Sequence, residues 1–176
     1  MSLGILFLIA IGLSMDAFSL ALIYGTLNME RKYHNLMSTF VGVFHFFMPL
    51  FGYFIGKIVF SFLPVPPEMI AGIIFIALAV EMLLSLKKEE QLKLLENIYS
   101  ICLFAFTVSI DSFSIGIGLG SLTDNIYIAS FVFSITSAIF TYLGVKLGDV
   151  LVKRFGNLAT LIGSIILLWL GIHYIF

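Results

Sequence analysis

Two aspartates lie in the middle of long apolar runs of this 176-residue chain, each within the same short pattern of residues. Asp16 lies in the pattern from Ser14 to Gly25, and Asp111 lies in the pattern from Ser109 to Gly120. A charge at the centre of a bilayer costs roughly 2.5–3.5 kcal/mol on insertion scales, so such residues usually mark an ion or substrate path. Two of them in matched contexts predict one symmetric site.

The two patterns correspond without a gap. The matching pairs are Ser14 and Ser109, Asp16 and Asp111, Phe18 and Phe113, Ser19 and Ser114, and Gly25 and Gly120. Each aspartate precedes a serine by three residues, so each Asp–Ser pair shares one face of a helix. Two carboxylates and two hydroxyls are ligands that hard divalent cations accept, with carbonyl groups and water completing the shell.

The sequence therefore predicts a metal site made of Asp16, Asp111, Ser19 and Ser114. Two structural alternatives stay open. Each aspartate can be protonated and bonded to a nearby backbone carbonyl. Each serine can donate its hydroxyl to the carbonyl four residues earlier in its own helix, as membrane serines commonly do.

His45 is a further candidate ligand for the metal. It lies in an apolar segment four residues before Pro49, and a proline inside a helix loosens the turn before it. An isolated histidine on an apolar helix is more often a satisfied hydrogen-bonding residue than a ligand, and both interpretations stay open. Gly116, Gly118 and Gly120 predict either a close helix contact or an unwound segment with carbonyl groups free for an ion.

The composition is that of an integral membrane protein. The chain is 61% hydrophobic and 11% charged, whereas soluble domains carry about 25% charged residues. Its one cysteine, Cys102, excludes a disulfide framework and a thiolate metal cluster. A net charge of −1 without a basic cluster predicts no nucleic-acid partner, and the sequence predicts no bound cofactor. Because no Walker motif is present, ATP is not expected as the direct energy source.

Six apolar runs are long enough to cross a bilayer as helices, which takes about 20 residues. They cover roughly Leu3–Leu27, Leu36–Phe60, Glu68–Leu86, Ile98–Leu122, Tyr127–Val150 and Leu158–Phe176. We therefore predict an all-α polytopic membrane protein with a single transmembrane domain over residues 1–176. Its six transmembrane helices are expected to form two inverted three-helix repeats, at about 1–86 and 98–176, joined by a cytoplasmic linker at about 87–97.

The inverted repeat follows from the odd number of helices in each half. Gly52 and Gly56 also align with Gly144 and Gly148, which are pairs that permit close approach of two helices. Inverted repeats with polar residues at the membrane midplane are how many secondary transporters are built. Eight of the nine basic residues fall on the side of the first, third and fifth loops. That bias predicts that this side is cytoplasmic and that both termini lie outside.

These motifs resemble those of the bacterial manganese efflux pump family, six-helix exporters similar in architecture to the lysine exporter superfamily. The resemblance covers the full chain and rests on Ser14–Phe18, on Gly42 with Met48–Gly52, and on Ser109–Asp111 with the glycines after it. It implies that Asp16 and Asp111 are the essential acidic residues of the metal path.

The sequence departs from the family at two positions. His45 stands where relatives usually have Glu or Gln, and Glu81 stands where they tend to have Arg, Lys or Gln. The resemblance implies a secondary transporter of the bacterial plasma membrane that exports divalent cations, Mn²⁺ first among them, by alternating access. Exchange for protons is the expected coupling, and a homodimer is one expected oligomeric state.

Two other functions remain as alternatives. A related branch of the family is associated with sporulation, so a non-transporting membrane scaffold is one of them. An intramembrane aspartyl protease also uses two buried aspartates. In those proteases, however, a Gly-x-Gly segment precedes the second aspartate, whereas here the glycines follow Asp111. We therefore expect a transporter and not an enzyme.

Overall fold

A computed structural model describes residues 3–26, 30–62, 66–86, 97–120, 123 and 125–175. The secondary structure in these ranges is helical throughout. The helices are α1 (Leu3–Gly25), α2 (Arg31–Phe62), α3 (Pro67–Ser85), α4 (Ile98–Val108), α5 (Ile110–Leu119) and α6 (Ile126–Ile175). The all-α prediction is confirmed for this part of the chain, and most of the linker predicted at 87–97 lies outside the described residues.

Five segments of the described chain are long and apolar enough to cross a membrane. They are Leu3–Gly25, Arg31–Val59, Ile98–Leu119, Ile126–Gly148 and Leu158–Ile175. Helix α3 adds 19 residues, about 29 Å at 1.5 Å per residue, which matches the thickness of the hydrocarbon core. Large apolar side chains such as Phe51, Ile58 and Phe131 are exposed on the outer surface. Such a surface suits lipid rather than water, and the chain is a multi-pass membrane protein.

Helix α6 contains two of these segments, called here 6a (Ile126–Gly148) and 6b (Leu158–Ile175). They run in opposite directions along α1. The contacts with α1 are Ser137 to Ser14 and Gly148 to Gly25 for 6a, and Thr160 to Ser19 and Leu167 to Gly12 for 6b. Segments 6a and 6b are therefore two separate passes, as the sequence predicts for helices at about 127–150 and 158–176.

Glycines let two pairs of helices approach backbone to backbone. A Cβ atom at any of four glycines would collide with a backbone carbonyl of a neighbouring helix. The pairs are Gly52 with Phe113, Gly56 with Ile117, Gly144 with Phe18, and Gly148 with Leu22. Helix α2 thus packs on α5, and 6a packs on α1. Such contacts matter in a membrane because van der Waals packing replaces the hydrophobic effect between helices.

The predicted fourth pass is interrupted at Ser109, which separates α4 from α5. The backbone angles of Ser109 are φ −96° and ψ 5°, whereas an α-helix has about −63° and −42°. Its N–H group lies 3.2 Å from the carbonyl oxygen of Ala105 and 3.1 Å from that of Phe106. Gly116 and Gly118 are not unwound, since both lie within α5, and Gly116 packs against the backbone of Pro49.

Candidate metal-binding cavity

The two aspartate patterns meet at one cavity of about 570 Å³. Asp16 and Ser19 of α1 line it together with Asp111 and Ser114 of α5. The remaining walls come from α3, α4 and 6b. Four of the five predicted site residues are therefore brought together in the structure. In the chain, the second Asp–Ser pair lies 95 residues after the first.

The cavity extends from the aspartates toward one end of the helix bundle. Along α1 its wall runs from Asp16 to Ile23, and along α3 it runs from Leu78 to Leu86. Both stretches lead toward the carboxyl ends of their helices. Thr160, near the beginning of 6b, lies in the same wall. This is the end at which the first, third and fifth connections join the helices.

Asp111 lies at the start of α5, two residues after Ser109. The backbone N–H of Ser112 donates a hydrogen bond to Asp111 Oδ1 at 2.7 Å. The first N–H groups of a helix lack partners within the helix and carry partial positive charge, so a carboxylate is stabilised there. The interruption at Ser109 therefore creates a helix N-terminus at the carboxylate that faces the cavity.

Asp16 is carried differently, because α1 continues through it from Leu3 to Gly25. Both aspartates are half-buried. Glu81 of α3 adds a third carboxyl group to the wall, and the described part of the wall contains no lysine, arginine or histidine. Ionised acidic groups close together in a partly enclosed space repel one another, and a divalent cation between them relieves that repulsion.

Ser19 makes a buried contact with a residue that the sequence did not single out. Thr160 Oγ1 donates to Ser19 Oγ at 2.8 Å, and both residues line the cavity. Ser114 Oγ lies 3.5 Å from the carbonyl oxygen of Ile110, four residues earlier in its own helix. The only signal for Thr160 in the sequence is a hydroxyl near the beginning of an apolar segment.

Among the described residues, His45 lies apart from the four cavity residues. Its side chain is fully buried, with Nδ1 at 2.8 Å from Ser109 Oγ and at 3.0 Å from the carbonyl oxygen of Val41. It therefore connects α2 to the interruption between α4 and α5 and does not line the cavity. Its predicted role as a metal ligand stays a prediction.

The ligand set that the cavity offers is made of oxygen atoms. Within the described ranges, no three side chains of the types His, Cys, Asp and Glu converge closely enough to hold a metal ion. The described wall offers instead three carboxyl groups and four hydroxyl groups, those of Asp16, Asp111, Glu81, Ser19, Ser114, Thr107 and Thr160. With water completing the shell, this set suits a hard divalent cation that passes through rather than a tightly held structural metal.

Several known proteins similar to this chain are named for manganese efflux. A family model described as "Putative manganese efflux pump" matches residues 28–175. The chain is 33% identical over 170 residues to the "Putative manganese efflux pump MntP" of Bacillus pumilus, covering 96% of this chain and 92% of the relative. A protein of the same name from Geobacillus thermodenitrificans is 31% identical over 170 residues, covering 96% and 93%.

A third protein of that name, from Desulforamulus reducens, is 29% identical over 180 residues, and the alignment covers 100% of both chains. No solved structure matches the chain. The family model spans most of the sequence, and the relatives align over nearly their whole length. The chain therefore belongs to the manganese efflux pump family, a family of membrane transporters rather than enzymes, as its motifs indicated.

Proposed function

We propose that this protein exports Mn²⁺ across the plasma membrane as a secondary transporter, with Asp16 and Asp111 as its shared cation site. The observation that carries the proposal is the meeting of both aspartates and both serines at one cavity. The names of the relatives support manganese as the metal. Carboxylate and hydroxyl oxygens are ligands that Mn²⁺ accepts.

An inverted repeat of the halves 1–86 and 98–176 is part of the proposal. Corresponding residues make corresponding contacts in the two halves. The glycine pair of α2 packs on α5 as the pair of 6a packs on α1. Ser109 contacts His45, and Ser14 contacts Ser137, which occupies the position of His45 when Gly52 is aligned with Gly144. These contacts support a pseudo-twofold axis through the cavity.

The proposed orientation places in the cytoplasm the end of the bundle toward which the cavity extends, and both termini outside. The cavity reaches the end of the bundle that carries the loops rich in Lys and Arg. An exporter must load its cation from the cytoplasm, so a cavity that faces this side suits the loading state. Alternating access would close this end and open the other.

A homodimer stays a prediction.

Exchange for protons is the proposed energy source. Moving two positive charges outward against about 100 mV, inside negative, costs roughly 4.6 kcal/mol. If each aspartate releases a proton when Mn²⁺ binds and regains one from outside, two protons enter for one cation that leaves. In proteoliposomes with the potential held at zero, Mn²⁺ should then move toward the more acidic side. Transport that ignores the proton gradient would rule out this coupling.

The export itself is tested in cells. Bacteria that lack their own manganese exporter should accumulate less manganese, measured by elemental analysis, when they express this protein. The control is the same protein with Asp16→Asn, which preserves the size of the side chain and removes its charge. Equal manganese contents with and without the active protein, at matched amounts in the membrane, would contradict export and favour the scaffold.

A further inference from the structure

We propose that His45 is a positioning residue that holds the helix interruption at Ser109 through its Nδ1–H group and thereby places Asp111 in the cavity. The proposal rests on the proposed function for the role of Asp111. It assigns His45 the task of a hydrogen-bond donor. Metal binding through the other ring nitrogen is the competing assignment.

The hydrogen bonds around His45 define which ring nitrogen carries the proton. Ser109 Oγ lies 2.7 Å from the carbonyl oxygen of Ala105 and 2.8 Å from His45 Nδ1. A carbonyl oxygen only accepts, so the serine hydroxyl donates to Ala105 and its oxygen accepts from the ring. Nδ1 also faces the carbonyl oxygen of Val41 at 3.0 Å. Nδ1 therefore faces two acceptors and must carry the hydrogen.

The other ring nitrogen, Nε2, is then a bare lone pair. It is buried and has no hydrogen-bond partner in the described part of the chain. The ring as a whole is fully buried and lies outside the wall of the cavity. The atom of His45 that makes identifiable contacts is thus Nδ1, and those contacts lead to the interruption rather than to the cavity.

The corresponding contact in the other half gives an internal comparison. Ser14 donates to the carbonyl of Ala10 at 2.6 Å, as Ser109 donates to Ala105 at 2.7 Å. Its cross-helix partner is the hydroxyl of Ser137 at 3.0 Å rather than a ring nitrogen. Helix α1 runs through Ser14 without interruption, whereas the helix of the other half is interrupted at Ser109. The two corresponding serines thus have different cross-helix partners, and the helix is interrupted only at the serine that contacts His45.

Helix α2 contacts the chain on both sides of Asp111, through two positions that are one turn apart in α2. His45 bonds Ser109, and the backbone of Pro49 packs against Gly116 of α5. Proline has no N–H group, so the carbonyl of His45 lacks its usual partner within the helix, and this turn of α2 can adjust to its neighbour. Asp111 lies between the two contact points in the chain, two residues after Ser109. The position of its carboxylate therefore depends on the hydrogen bond between His45 of α2 and Ser109.

Three substitutions at His45 separate the two ring nitrogens. Asn places an amide N–H near the position of Nδ1, Gln places one near the position of Nε2, and Leu removes both. The measurement is Mn²⁺ affinity of the purified full-length protein by calorimetry. His45→Asn should keep the affinity of the wild type, whereas His45→Leu and Ser109→Ala should each weaken it about tenfold, the upper range for one hydrogen bond.

The double variant His45→Leu/Ser109→Ala should be no weaker than either single one, because both remove the same bond. The matched control is Ser137→Ala, which removes the corresponding contact on the uninterrupted helix and should leave the affinity unchanged. Affinity that survives His45→Gln and is lost in His45→Asn would overturn the proposal and assign the function to Nε2. An equal loss in Ser137→Ala would show a general packing effect and overturn it as well.

A second readout does not depend on manganese. Solid-state ¹⁵N and ¹³C chemical shifts distinguish the two neutral forms of histidine, and the His45 signals are assigned by their loss in His45→Asn. The proposal predicts hydrogen on Nδ1, so hydrogen on Nε2 would overturn it even if His45→Leu failed to fold. Failure of the wild type to bind Mn²⁺ would instead contradict the proposed function and leave this spectroscopic result to decide the placement of the proton.

Discussion

Asp16 and Asp111 correspond in the sequence but differ in the backbone that carries them. Asp111 accepts a hydrogen bond from the N–H of Ser112 at a helix N-terminus, which typically stabilises a carboxylate by about 0.3–1 kcal/mol. Asp16 lies in the interior of α1, where N–H groups already bond within the helix. The two carboxylates therefore share one cavity but belong to different local backbones, a helix N-terminus for Asp111 and a helix interior for Asp16.

Thr160 provides a test of the hydroxyl groups in the cavity. Thr160→Val keeps the shape of the side chain and removes the donor to Ser19. We expect the KM for Mn²⁺ transport in membrane vesicles to rise about two- to tenfold, as the loss of one hydrogen bond of 0.5–1.5 kcal/mol implies. The control is Thr136→Val, because Thr136 donates to Val132 in its own helix. Equal KM values for both variants would contradict a role for the Ser19–Thr160 contact.

The sequence placed each aspartate on one helix face with its serine because spacing within a helix determines which residues share a face. The repeated pattern then predicted that the two pairs meet, and all four residues line the cavity. It did not predict Thr160, because that contact depends on how 6b lies against α1. The sequence marked Glu81 only as a departure from the family, and its place in the wall of the cavity became visible in the structure. Contacts across 141 residues, as between Ser19 and Thr160, leave no pattern within a single segment.

At the scale of helices, the lengths of the apolar runs predicted the membrane-spanning segments well. The interruption at Ser109 was not predicted. Ser14-Met-Asp16 and Ser109-Ile-Asp111 are nearly the same in sequence, yet only the second is broken. Local sequence does not account for that difference, since the distinguishing partner, His45, belongs to another helix. The glycine pairs of α2 and 6a were correctly predicted as contact positions, because a missing Cβ has the same effect in any membrane helix.

The contact between α2 and α5 can be tested at Gly116. A Cβ atom there would collide with the backbone of Pro49, whereas a Cβ at Gly4 would meet nothing within 4 Å. Gly116→Ala should therefore destabilise the folded protein by about 1–3 kcal/mol, as overpacking usually does. In detergent, this appears as a lower melting temperature. Gly4→Ala is the matched control and should leave the melting temperature unchanged or slightly raised. Equal melting temperatures for the two variants would show that α2 and α5 are not in close contact.

For the whole molecule, the loop charges and the direction in which the cavity extends together predict which side faces the cytoplasm. Glu30 precedes α2 at the proposed cytoplasmic end, and Glu68 lies in the first turn of α3 at the opposite end; both are exposed. With Cys102 first replaced by Ser, a cysteine at either position is a matched probe. In intact cells, an impermeant thiol reagent should label Glu68→Cys and spare Glu30→Cys. The reverse pattern would contradict the orientation and the proposed direction of transport.

The central claim is that Asp16 and Asp111 bind one Mn²⁺ together, and direct binding to the purified protein tests it. Titration followed by electron paramagnetic resonance should show one Mn²⁺ bound per chain. Asp16→Asn and Asp111→Asn should each abolish that binding, because a shared ion needs both carboxylates. The control, Glu68→Gln, removes an exposed carboxylate outside the cavity and should bind as the wild type does. Full-affinity binding by either aspartate variant would contradict the shared site.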